Sequence, residues 1–318
     1  MAAHASSKTV IYAALAGNLA IAVTKLAAAA WTGSSVMLSE GVHSLVDTGN
    51  ELLLLYGLHR AAKPADELHP FGYGRELYFW SFIVALLIFS IGAGVSFYEG
   101  VIHILEPVPI SDSRVSYIVL GLALLFEGGS WYVAWKGFRA ESPGLGPVPD
   151  LDYIDAATRS KDPTMFMVLF EDSAALIGIL IALAGTFASE RLDMPVLDGV
   201  ASIGIALLLG ATGAFLARES KGLLMGEPAG PKTRERILAI ARRHGDIVSA
   251  DNLYTVHLAP RQILVALTLD FAADCPGREI ERDFSRLEAD IRKACPDVAA
   301  LFIKPRLRAQ PPAAAPAD

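Results

Sequence analysis

The sequence is poor in charge and in cysteine, and each shortage excludes a class of protein. Charged residues make up 19% of the 318 residues, 53% are hydrophobic, and the mean hydropathy is +0.42. Because a soluble domain has about 25% charged residues, this composition predicts an integral membrane protein. The two cysteines, Cys275 and Cys295, are too few for a disulfide scaffold and have no neighbouring ligands for a zinc finger.

Motifs of several enzyme and nucleic-acid-binding classes are also missing. The sequence has no Gly-x-x-x-x-Gly-Lys-Ser/Thr run and no His-Glu-x-x-His helix, which argues against ATP binding and against a common metalloprotease site. Basic residues form no patch that would bind nucleic acid, and the net charge of −7 says little about partners. Because the ATP-binding run is missing, we expect any energy that the protein uses to come from an ion gradient.

Six apolar windows predict six membrane-spanning helices of roughly 20 residues each. They lie at about 9–31, 36–58, 77–101, 115–135, 164–188 and 194–217. Residues 1–8 run into the first window without a cleavage site, so we expect this helix to be retained. Basic residues collect in alternate loops, namely Arg60, Lys63, Arg75, Lys136, Arg139, Arg159, Lys161, Arg218 and Lys221. This asymmetry predicts that both termini face the cytoplasm.

A change of composition at residues 226–231 predicts a second domain. This Pro- and Gly-rich break separates a transmembrane domain, residues 1–225, from residues 226–308. Amphipathic and β-rich segments then follow in the order α-β-β-α-β, which predicts a small ferredoxin-like α+β domain with a strand starting at Tyr254. Residues 309–318 are rich in Ala and Pro, and we expect them to be disordered.

The second window contains an imidazole and a carboxylate four residues apart. His43 and Asp47 lie on one face of a helix at this spacing, with Glu40 and Asn50 about one turn to either side. Ionisable groups inside a membrane are costly and usually mark ion or proton pathways. Imidazole and carboxylate favour zinc-like ions, so the pair predicts a divalent-metal site. The structural alternative is a helix-helix hydrogen bond from His43 and a kink near Gly49.

The fifth window supplies two adjacent carboxylates, Glu171 and Asp172. Neighbouring residues diverge by about 100° on a helix, so both cannot face one site fully. We expect one to bind the metal while the other takes a proton, a counter-charge or a hydrogen bond to a ligand. An ion pair between helices is the structural alternative. Glu127 and Lys25 are weaker candidates, each of which a hydrogen bond to a neighbouring helix would also explain.

The loop after the second window has a possible accessory ion site at Asp66 and His69. A turn with solvated charges in front of the next helix is the simpler explanation.

These motifs together resemble the cation diffusion facilitator family. The resemblance covers nearly the whole chain: the His43–Asp47 pair, the loop at residues 69–75, the acidic fifth helix and the ferredoxin-like tail. Residues 39–50, 96–107 and 162–175 look like the branch that contains the mitochondrial zinc transporter nine.

The resemblance implies a dimeric, proton-coupled exporter that holds one divalent ion between the second and fifth helices. His43 and Asp47 match the ligands of the second helix and Asp172 matches that of the fifth, and the same three residues would exchange protons. Val168 stands where most zinc members have His or Asp, so Glu171, water or Asn50 would complete the coordination. Tyr73 replaces the usual loop histidine, which implies that the accessory sites are absent.

We therefore expect a Zn2+/proton antiporter that exports zinc by alternating access, with zinc as substrate and no cofactor. Homodimers in a bacterial inner membrane are the expected assembly and location. Two alternatives remain open: export of Co2+, Fe2+, Mn2+ or Ni2+, and a metal-dependent intramembrane enzyme, although no Ser or Cys nucleophile beside a base supports the latter.

Overall fold

The computed structural model describes residues 2–33, 35–107, 113–141, 160–243, 247–272 and 275–308. The chain divides into two compact units, Met1–Leu224 and Met225–Asp318. The predicted disordered tail, residues 309–318, lies outside the described residues.

The first unit is a bundle of long helices, as the hydrophobic windows predicted. Its elements are α1 (Ala2–Thr32), α2 (Ser35–Ala61), α3 (Arg75–Leu87), a π-helical turn (Ile88–Gly92), α4 (Ala93–Leu105), α5 (Ser113–Glu141), α6 (Pro163–Leu192) and α7 (Val196–Met225). The third predicted span is thus α3 and α4 joined by the π-helical turn. A π turn inserted into a helix often lies near a functional site.

Five stretches of the described chain are long and apolar enough to cross a membrane: Ala14–Thr32, Arg75–Leu105, Arg114–Arg139, Pro163–Leu192 and Val196–Met225. The remaining long helix, α2, carries three buried acids, Glu40, Asp47 and Glu51. It packs against α1, α3 and α6, so these carboxylates face protein. A polar helix can lie within such a bundle because its neighbours, and not lipid, meet its polar side chains.

Local chemistry at its two ends defines where α6 starts and stops. Asp162 precedes the helix, and its carboxylate accepts a hydrogen bond from the backbone N–H of Thr164 at 3.0 Å. Pro163 occupies the first turn, where its missing N–H has no cost. The helix ends at Leu192, and the next residue, Asp193, has a φ of 50°, in the left-handed region. These signals set the position of Glu171 and Asp172 in the bundle.

Glycines allow α7 to approach α4 and the π-helical turn at backbone distance. A Cβ on Gly100 would lie 2.9 Å from the carbonyl oxygen of Gly199, and one on Gly213 would lie 2.7 Å from the backbone nitrogen of Phe89. Lipid provides no hydrophobic driving force between helices, so the close van der Waals packing that small residues allow stabilises such crossings.

The second unit has the predicted α-β-β-α-β order. Its elements are α8 (Pro231–Ala241), β1 (Ile247–Ala259), β2 (Gln262–Ala272), α9 (Gly277–Ala294) and β3 (Val298–Arg308). The sheet order is β1-β2-β3, in which β2 pairs antiparallel with β1 and parallel with β3. The first strand starts at Ile247 and not at Tyr254, because two irregularities in its pairing with β2 let it continue through a polar stretch.

The core of this unit lies between the sheet and the helices. Alternate residues of β2, among them Val265, Leu267 and Leu269, are buried against Ile237 and Leu287. Within the described residues no disulfide joins the two cysteines.

We predict that Gly100→Ala destabilises the transmembrane unit, whereas Gly94→Ala on the same helix does not. The new methyl group at position 100 would lie 2.7 Å from Cγ1 of Ile203, and one at position 94 meets nothing within 4 Å. Overpacking of this kind costs about 1–3 kcal/mol. Thermal unfolding of the purified full-length protein in detergent measures the effect. Equal melting temperatures for the two variants would show that the helices do not pack this closely.

Candidate metal centre

The polar stripe of α2 is buried inside the bundle. His43, Asp47, Asn50 and Glu51 are each 1% exposed or less. The Nδ1 atom of His43 lies 3.2 Å from Oδ1 of Asp47, as their spacing of four residues predicts. The hypothesis that these two side chains share a helix face is therefore correct in geometry.

Several polar atoms of this stripe make no hydrogen bond to any described residue. They are Nε2 of His43, Oδ1 of Asp47, Oδ1 of Asn50 and Oε2 of Glu51. The contact between His43 and Asp47 lacks hydrogen-bond geometry, so Oδ1 of Asp47 counts among them. An unsatisfied buried polar group costs about 1–3 kcal/mol. An imidazole nitrogen with carboxylate and amide oxygens is a donor set that binds divalent transition metals.

Helix α6 contributes Glu171 to this stripe. Its Oε1 atom accepts a hydrogen bond of 2.6 Å from Nδ2 of Asn50, and its carboxyl group contacts that of Asp47. Two buried carboxylates in contact repel each other unless a proton or a cation lies between them. The contact between the Asp47 and Glu171 carboxyl groups therefore suits a site that exchanges a proton for a metal cation.

Asp172 points away from this contact. It is buried, and its Oδ2 atom accepts a hydrogen bond of 2.8 Å from Oγ of Ser130 on α5. The adjacent acids thus bond to different helices, as the rotation per residue predicts. Val168, four residues earlier, is buried in the hydrophobic core and offers no ligand atom.

The structure therefore brings His43, Asp47, Asn50 and Glu171 together, whereas Asp172 is hydrogen-bonded to Ser130 of α5. In the described part of the chain, no three His, Cys, Asp or Glu side chains converge closely enough to hold an ion as they stand. Binding by these residues would need a side-chain or helix movement. The assignment of individual ligands remains a prediction.

Sequence reasoning missed Glu51. Its Oε1 atom accepts a hydrogen bond of 2.9 Å from Nδ2 of Asn18 on α1, while Oε2 is without a partner among the described residues. The signal was present, since Glu51 repeats the spacing of four residues that joins His43 to Asp47.

The loop candidates Asp66 and His69 form a hydrogen-bonded turn. Oδ1 of Asp66 accepts from the backbone N–H of His69 at 2.7 Å, and Oδ2 accepts from the hydroxyl of Tyr73 at 2.6 Å. The Tyr73 hydroxyl and then the His69 backbone amide hold the pKa of Asp66 below its ordinary value. Because both carboxylate oxygens have protein donors, the geometry favours the turn over the accessory metal site.

The whole candidate centre lies within a matched family domain. The profile of the cation efflux transmembrane domain matches residues 11–225. The chain belongs to this cation efflux family. This places the polar stripe of α2 and the acidic pair of α6 in the domain that defines the family.

Three curated relatives show how far the similarity extends. A mitochondrial proton-coupled zinc antiporter of Xenopus laevis is 31% identical over 82% of this chain and 45% of the relative, and its human counterpart is 30% identical over 80% and 43%. Metal tolerance protein C4 of Arabidopsis thaliana is 32% identical over 76% of this chain and 52% of the relative. The chain thus spans about half the length of the curated relatives that it matches.

We predict that Glu171→Gln weakens metal binding more than Asp172→Asn. Glu171 accepts a hydrogen bond from Asn50 in the polar stripe of α2, whereas Asp172 accepts one from Ser130 on α5. Loss of a direct ligand should cost more than the 10- to 100-fold in affinity that is typical of groups supporting a ligand. Isothermal titration of both purified variants with Zn2+, Co2+ and Mn2+ measures this. A larger loss in Asp172→Asn would reverse the assignment.

We also predict that His69→Ala leaves the number of bound metal ions unchanged. Both oxygens of the Asp66 carboxylate already accept hydrogen bonds within the turn. Because its pKa is lowered, these bonds persist at neutral pH and are lost only as the pH falls through that lowered pKa. Metal content of the equilibrated, washed protein provides the measurement. One ion fewer in the variant would establish an accessory site in this loop.

Proposed function

We propose that this protein is a secondary transporter that exchanges a divalent metal ion for protons, with zinc the first candidate. The proposal rests on a set of buried nitrogen and oxygen atoms on α2 that have no hydrogen-bond partner among the described residues. Glu171 of α6 is hydrogen-bonded to Asn50 in the same stripe. The names of the similar antiporters from Xenopus laevis and human state proton-coupled zinc exchange for those proteins.

Competition between metal and protons for the same atoms supplies the coupling. Metal binding needs a neutral imidazole and ionised carboxylates, and histidine titrates near physiological pH. Metal entry would therefore release protons from His43, Asp47 and the acidic pair of α6. Protons arriving from the other side would expel the metal. In the sequence analysis Asp172 is the ligand, and the geometry adds Glu171 as the acid that touches α2.

Alternating access would act on the contact between α2 and α6. The hydrogen bond from Asn50 to Glu171 joins these helices at the depth of the candidate ligands. A metal that recruits Oε1 of Glu171 would compete with the Asn50 amide for this oxygen, which would link metal occupancy to the position of the two helices. The absence of an ATP-binding motif from the sequence agrees with energy drawn from an ion gradient.

The remaining parts of the proposal concern assembly and orientation. We propose a homodimer held together through the second unit, with both termini in the cytoplasm and export as the direction. The basic loops support this orientation. A bacterial inner membrane is the proposed location, although the similar zinc antiporters from Xenopus laevis and human carry mitochondrial names.

The choice of metal depends on the ligand set. One imidazole with several oxygens suits zinc but also fits Mn2+, Fe2+ or Co2+, which accept more oxygen ligands. Since Val168 removes a second nitrogen ligand, these ions remain the alternatives.

We predict that His43→Ala abolishes metal uptake, whereas His59→Ala does not. His43 is buried in the centre, while His59 lies exposed near the end of the same helix. Because a direct ligand is lost, uptake should fall by more than about tenfold. The assay is Zn2+ uptake into proteoliposomes across an imposed pH gradient. Parental rates in His43→Ala, Asp47→Ala and Asp172→Ala would disprove the antiport site. Metal binding without flux in the parental protein would instead point to an enzyme or a scaffold.

A further inference from the structure

A second buried charged cluster lies outside the candidate metal centre. It consists of Lys25 on α1, Glu40 and Ser44 on α2, and Glu127 on α5, and we call it the Lys25 cluster. All four side chains are fully buried. None of them is among the proposed metal ligands.

Hydrogen bonds hold Lys25 to α2. Its ammonium donates to Oε2 of Glu40 at 2.9 Å and to Oγ of Ser44 at 3.0 Å. The other oxygen of Glu40 faces Gly178 on α6, where an added Cβ would lie 2.8 Å away. The position of Glu40 is therefore restricted on both sides, by the ammonium and by the glycine.

Glu127 has a different environment. Neither of its carboxylate oxygens makes a hydrogen bond to any described residue, although the side chain is fully buried. Lys25 and Glu40 are near enough to interact with it electrostatically.

The charges of the cluster do not balance. It contains two carboxylates and one ammonium, and in the described part of the transmembrane unit no other lysine or arginine is buried. An ionised carboxylate without a partner costs several kcal/mol or more in a low-dielectric interior, in practice enough to make the group take up a proton. Since Lys25 is bonded to Glu40, the surplus negative charge belongs to Glu127.

We propose that Glu127 is a proton-carrying residue of the exchange, separate from the metal ligands. The proposal rests on the metal/proton exchange proposed above. Without metal, Glu127 carries a proton on one carboxylate oxygen. When metal binds, the O–H bond breaks, the proton leaves to water and the electron pair stays on the carboxylate, so no redox partner is needed.

Electrostatics couple the two sites. The charged and titratable groups that act on Glu127 or are acted on by it are Lys25, Glu40, Asp47, Glu51, Glu171 and Asp172. Four of these are acids at or beside the candidate metal centre. Those of the four that stay ionised without metal repel the Glu127 carboxylate, and a divalent ion bound among them offsets that negative charge, which favours ionisation of Glu127. Metal release restores the repulsion, and Glu127 takes up a proton again.

The role of Lys25 follows from the same charge balance. By pairing with Glu40 it leaves a single carboxylate of the cluster to be neutralised. Removal of the ammonium would leave two. Glu127→Gln and Lys25→Met should therefore change the number of released protons in opposite directions, which a purely structural role would not do.

The test measures proton release and metal affinity together. Purified full-length protein in weak buffer is titrated with Zn2+ while a pH indicator counts protons, and the titration is repeated across a range of pH. Relative to the parental protein, Glu127→Gln should release about one proton fewer per metal, and its log affinity should rise less steeply with pH by the same amount. Lys25→Met should release about one proton more. Glu99→Gln, on α4 and outside both clusters, is the matched control and should equal the parental protein.

Several results would overturn the proposal. Parental proton release in Glu127→Gln would do so, as would loss of metal binding at every pH in a variant that remains monodisperse. Two ions bound by the parental protein and one by Glu127→Gln would make Glu127 a metal ligand and not a proton carrier. If Glu127→Gln does not fold, unchanged proton release in Lys25→Met refutes the charge balance. A parental protein that binds no metal would instead disprove the proposed function itself.

Discussion

The structure of the transmembrane unit depends on one constraint, that a polar group buried in a membrane protein must find its partner within the protein. The hydrocarbon core of a bilayer offers no hydrogen bonds, so a charge on α2 that is buried there requires a partner on a neighbouring helix. The ammonium of Lys25 donates a hydrogen bond to Glu40. The side-chain amide of Asn18 donates to Glu51, and that of Asn50 donates to Glu171. These contacts place α2 against α1 and α6 at defined positions along its length.

The same constraint distinguishes buried polar atoms that have a hydrogen-bond partner from those that have none. Oε2 of Glu40 accepts a hydrogen bond from Lys25, and Oδ2 of Asp172 accepts one from Ser130. Oε1 of Glu40 and atoms of His43, Asp47 and Glu127 make no hydrogen bond to any described residue. Such atoms lower stability unless a metal ion or a proton occupies them. Because these atoms lie on or near α2, this helix is the centre of the proposed exchange. The polar side chains that α2 carries also make it less apolar than an ordinary membrane span.

The proposed change of access would also need parts of the bundle that do not deform. The glycine contacts between α4 and α7 bring two helices to backbone distance, and such packing tolerates little change. The contact of α2 with α6 instead includes a side-chain hydrogen bond at the candidate centre, which a bound ion can replace. The bundle thus combines a closely packed helix pair with a polar contact between α2 and α6 at the candidate centre.

Hydrophobic windows, a Pro- and Gly-rich break and the α-β-β-α-β pattern were sufficient to predict the architecture, because burial in lipid and regular periodicity are local properties of the chain. The spacing of His43 and Asp47 likewise placed them on one face, since helix geometry alone sets this. The sequence could not decide that Glu171 reaches α2 while Asp172 turns to Ser130, that Lys25 is buried against Glu40, or that Glu127 lacks a partner. Those outcomes depend on how each helix is rotated and which neighbour it meets, and only the packed tertiary structure determines both.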